Sequence, residues 1–174
     1  MTESQLADAI MHEPDMVKRL ASIIDVGRKK YTSLIPNLEV LARDENYIVR
    51  SHAIRSLILF FCSKAHLPMA FALLSDDPEV VVRGSAASSL GAMGFMVPES
   101  AAEIAKVLAH RLRVESIPNV RSGIYAAICE IVREKRHIPW ELEDSQIDWE
   151  LISAVESGAL PAQSKSKASD KAKR

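Results

Sequence analysis

The sequence predicts an all-α protein, a curved stack of about four helix pairs closed by a C-terminal helix, and three observations carry that expectation. Arginines recur at Arg19, Arg50, Arg83 and Arg121, with intervals of 31, 33 and 38 residues, in the range of a two-helix repeat. Six positions before each stands an acid (Glu13, Asp44, Asp77, Glu115), and seven after each an aliphatic residue (Val26, Leu57, Leu90, Ile128). Composition agrees. Of 174 residues, 48% are hydrophobic and 26% charged, but only 5% are aromatic and 6 are glycine, a folded profile too poor in turn formers for a sandwich or barrel.

Each arginine is expected to open the second helix of its pair. Positions +3, +4, +7 and +11 after it share one helix face; they are Ala53, Ile54, Leu57 and Phe61 in the second unit and Ala86, Ala87, Leu90 and Gly94 in the third. First helices precede them: 32–43 with Leu34, Ile35, Leu38 and Leu41, then 67–75 with Ala70, Phe71, Leu73 and Leu74, then 99–113 with Ala105, Leu108 and Leu112. Pro36 belongs in a first turn. Breakers are expected at Asp77-Pro78, at Gly91 with Gly94, at Pro98 and at Ile117-Pro118. The units then run roughly 1–30, 31–63, 64–96 and 97–136, with a cap at 137–160. The acids are expected to cap the arginine helices. They also form a structural ladder with the arginines (Asp44, Arg50, Asp77, Arg83, Glu115, Arg121), through the unit's own arginine, as in Asp77 with Arg83, or the next unit's.

These residues resemble the HEAT repeat family, and especially the short bacterial HEAT-like repeats of the phycobilin-lyase type. Asp77, Val82-Arg83, Ala86-Ala87 and Leu90-Gly91 follow its pattern of an acid, Val-Arg, small residues and Leu-Gly. Asp44 to Leu57 matches without the proline and the glycine, Glu115 to Ile128 matches in part, and the first unit has Lys18 in place of the valine. The resemblance implies an α-solenoid with a right-handed superhelix and second helices lining the concave side. It says little of activity, because the fold serves many tasks.

Beyond the repeats, Trp140 and Trp149 are expected to be a hydrophobic cap, with exposure of either as a recognition anchor the alternative. Glu141, Glu143, Asp144, Asp148, Glu150 and Glu156 make that end acidic. The five cations and one acid after Gly158 carry +4, which leaves the preceding residues at −5 within a total of −1. An acidic solenoid with a basic disordered tail at 161–174 follows, one that disfavours nucleic acid as a partner. With only Cys62 and Cys129, read as small buried thiols, and no signal-like or membrane-spanning run, a cytoplasmic location is expected.

Catalytic chemistry is not legible. The five histidines show no metal-ligand spacing, and no phosphate loop or nucleophile motif occurs. No cofactor, metal or catalytic residue is expected. The expected function is a non-catalytic interaction module or adaptor that binds another protein on its concave face. A toxin-immunity protein facing a basic toxin and a phycobilin-lyase-like subunit are the alternatives. Positions +1, +2, +5, +6 and +9 after each arginine are expected to be exposed. They nominate His52, Arg55, Ser85, Ser88, Ser89 and Glu130 as the partner-binding surface.

Overall fold

The structure, a computed structural model, describes residues 1–158, among which there are nine α-helices and no strand. They pair as α1 (Glu3–His12) with α2 (Met16–Arg28), α3 (Ile35–Leu41) with α4 (Tyr47–Arg55), α5 (Leu67–Asp76) with α6 (Val80–Met96), and α7 (Pro98–Val114) with α8 (Pro118–Ile131). A ninth helix, α9 (Trp149–Glu156), packs on α7. α4 is prolonged by a π-helical stretch, Ser56–Phe60. The expected tail lies outside the described residues.

Helix starts follow local chemistry. Thr2 and Gln5 form a capping box on α1, while Asp15 and Asn46 cap α2 and α4 through their side chains. Prolines occupy the first turns of α3, α5, α7 and α8, where a missing N–H goes unnoticed. Leu38, Leu74 and Leu108 of the first helices interleave with Ile54, Leu57, Leu90 and Ile128 of the second, all fully buried, in two clusters that together run the length of the stack.

The even-numbered helices pack on one another far more closely than the odd-numbered ones do. They form the tighter, inner layer of the stack. Close packing needs small side chains at the crossings. A Cβ at Gly91 would fall 2.7 Å from that of Ala127, and one at Gly94 would fall 2.8 Å from Ile131. Both glycines thus sit inside α6 as contact points with α8, not in the turn that their composition suggests. The same packing corrects the expected exposure of the +6 positions: Ser56, Ser89 and Ala127 are buried at 0%, 3% and 2%. Ser51 and Ser122, at +1, are buried too.

The acids and arginines interlock across units. Arg50 donates through Nε and Nη2 to Asp77 (2.8 and 2.9 Å), Arg83 likewise to Glu115 (3.0 and 3.3 Å), Arg19 to Asp44 (3.0 Å), and Arg121 to Asp144. Each carboxylate belongs to the following unit. The arginine reaches its own unit's acid only at the main chain: Arg50 Nη1 donates to the Asp44 carbonyl, Arg83 Nη1 to that of Asp77, and Arg121 Nη1 to that of Glu115. The carboxylates of Glu13, Asp44, Asp77 and Glu115 accept from the N–H of Asp15, Asn46, Glu79 and Ile117, the residue just before each inner helix. They brace the turn and do not cap the helix directly.

The two ends of the described stack differ from its middle. On α2 the +6 position is Asp25, ion-paired with Lys29 at 3.4 Å, where later units have Ser or Ala. At the other end, residues 132–148 lie as a strap over α8. The Tyr125 hydroxyl accepts from the Asp148 N–H and from Arg136 (both 3.1 Å), Ser122 donates to the Trp140 carbonyl (2.7 Å), and Leu142 and Ile147 are buried.

Candidate partner-binding site

The nominated residues lie on the inner helices but do not form one surface. Arg55 on α4, Ser88 on α6 and Glu130 on α8 are exposed, whereas His52 and Ser85 are half-buried. His52 is turned to its own helix, its Nδ1 2.9 Å from the Ile48 carbonyl. Ser85 bonds across to Ser51 (2.7 Å between hydroxyl oxygens). Ser89 is a correction: it is buried, and its hydroxyl donates to the Ser85 carbonyl at 2.7 Å, because the +6 side of each inner helix faces the preceding inner helix. Partial desolvation raises the Glu130 carboxyl above its ordinary value.

What the structure does bring together is a groove of about 380 Å³ between the N-terminal halves of α6 and α8. Val80, Val81, Gly84, Ser85 and Ser88 line one side, Asn119, Val120 and Gly123 the other, and Trp140 stands at its edge. Its origin is a pair of missing side chains. Between α4 and α6 the +1 and +2 positions, Ser51 and Ser85, touch through their hydroxyls. The corresponding residues of α6 and α8 are Gly84 and Gly123, and a Cβ on either would meet nothing within 4 Å. Val81 is 48% exposed and Trp140 75%, so apolar surface faces water on both sides of the gap. The Asn119 Oδ1 in the wall is shielded and has no hydrogen-bond partner.

The strap places Trp140 through the Ser122 bond to its carbonyl, with Leu142 as an anchor two residues on. The two tryptophans therefore separate. Trp149 is half-buried at the end of the stack, its indole N–H donating to the Asp144 carbonyl at 3.2 Å and its ring under the Arg113 guanidinium. Trp140 caps nothing. Asp144, Asp148 and Glu156 of the acidic end pair with Arg121, Arg136 and Arg113. Burial pushes the Cys129 thiol up to about 11, so it stays protonated at neutral pH, and Cys62 is half-buried at the end of the second inner helix. Among the described residues no group of three or more His, Cys, Asp or Glu side chains is placed to hold a metal ion, and no helix is long and apolar enough to cross a membrane.

Sequence reasoning nominated Ser85 and Ser88 and missed Val80, Val81, Asn119, Val120 and Trp140 as members of one site. The available signal was the glycine pair at +1 and +2 of adjacent units.

A braced stack of helix pairs with a tight inner layer is an α-solenoid. The family profile described as HEAT repeats matches residues 3–91 and 36–129, and the chain belongs to that family. No curated protein and no solved structure matches it. HEAT repeats generally serve as protein-interaction scaffolds and are typically non-catalytic.

Proposed function

We propose that this chain is a non-catalytic interaction module that binds another protein on its inner helices, with the groove between α6 and α8 as the centre of contact. The observation that carries the reading is Trp140, 75% exposed at the edge of an apolar gap although the strap that bears it is pinned on both sides. Large exposed aromatics beside a pocket are the residue type that dominates protein interfaces.

Site-specific photocrosslinking tests this in cells. A benzophenone side chain at Ser88, on the groove, should yield a discrete cross-linked protein, and one at Glu103, exposed on α7, should not. Cross-linking from Glu103 with none from Ser88 would move the interface to the outer layer and end this reading.

A further inference from the structure

Gly84 and Gly123 lie within α6 and α8, where glycine is less stabilising than alanine. The other two glycines of α6 have a packing reason, since side chains there would collide with Ala127 and Ile131. These two have none, because a Cβ on either enters open space. Two adjacent helices thus forgo a stabilising side chain at facing positions, and the consequence is the floor of the groove. A helix backbone left bare at the bottom of an apolar gap allows close approach of something from outside.

The geometry points to one occupant: a segment of a partner protein that lays one large apolar side chain on the Gly84–Gly123 floor against Trp140 and carries Lys or Arg beside it. This deepens the inner-face reading and rests on it. The groove lining carries no charge, so its floor selects an apolar group. Glu79 and Glu141, the chain neighbours of Val80 and Trp140, are both exposed, and the residues up to Gly158 carry a net −5; cations flanking the anchor complement both.

A random dodecapeptide phage library panned on the full-length chain tests the inference. Enriched peptides should share one large apolar residue with Lys or Arg close by. Synthetic copies should bind Gly84→Leu and Gly123→Leu at least tenfold more weakly, although both variants melt no lower than the parent, which separates a filled groove from a failed fold. Enrichment of acidic peptides, of peptides without an apolar anchor, or of none overturns the inference. So does binding that both leucine variants leave unchanged. If Arg55→Glu weakens such peptides instead, the groove occupant falls while the inner-face reading stands.

Discussion

Replacing Arg83 with alanine should cost the fold about 3 kcal/mol. The side chain, 10% exposed, ties three segments together: two bonds go to the Glu115 carboxylate (3.0 and 3.3 Å) and two to the main-chain carbonyls of Asp77 and Pro78 (2.9 and 3.1 Å). Its loss strands a carboxylate that is 2% exposed. Arg111 at 2.7 Å and the N–H groups of Ser116 and Ile117 remain, which keeps the cost at the low end of the roughly 3–5 kcal/mol for breaking a buried pair. The Glu115 carboxyl registers the whole set of contacts, of which Arg83 is one. Burial would raise it, but the bonds from Arg83, from the Ile117 N–H and from Arg111 outweigh burial and hold it at about 2 where 4.5 is ordinary. That difference corresponds to about 3 kcal/mol at neutral pH, shared among the three donors. Because the folded value lies below the unfolded one, this stabilisation is complete above about pH 4.5 and is lost as pH falls toward 2. Thermal unfolding followed by circular dichroism at pH 7 should show Arg83→Ala melting roughly 6–12 °C below the parent. The gap should shrink by half or more near pH 3, by the same linkage. Arg121→Ala is the control: its partner Asp144 is 77% exposed, and exposed pairs contribute about 1 kcal/mol or less. Equal losses in the two variants, or an Arg83→Ala melting point indistinguishable from the parent's, would refute the claim that burial sets the strength of each rung.

Gly91→Ala should destabilise by about 1–3 kcal/mol, since its methyl group meets the Ala127 Cβ at 2.7 Å, whereas Gly84→Ala should stabilise by about 0.5–1 kcal/mol; chemical denaturation of the two separates packing from propensity. Trp140→Ala should change stability by no more than about 0.5 kcal/mol while abolishing the Ser88 cross-link. Tyr125→Phe removes the acceptor shared by the Asp148 N–H and Arg136, costs about 1–2 kcal/mol, and should speed hydrogen exchange in residues 132–148 before it speeds exchange in α8. Maleimide at pH 7 should label Cys62 well before Cys129, which is 3% exposed with its thiol at about 11; equal rates would mean that α8 opens readily.

The sequence by itself determined the repeat, the order of helix pairs and the residues of the ladder. Those features are local or periodic: a 3.6-residue apolar rhythm, prolines in first turns, and an acid and an arginine at constant separation. It pointed each acid to its own unit's arginine or the next unit's, whereas each carboxylate meets the preceding unit's. That choice depends on the distance between units, and only stacking places Asp77 beside Arg50 and Glu115 beside Arg83. Nor did spacing reveal that the +6 side of each inner helix is a contact, because periodicity distinguishes a buried face from an exposed one on an isolated helix and says nothing of a neighbour approaching from the side. Ser89 looked exposed for that reason, and Gly91 and Gly94 looked like a turn. The groove was the least legible feature. Its floor is an absence, two glycines that face each other only after α6 and α8 have packed, and its edge is a tryptophan delivered by a strap from outside the repeats.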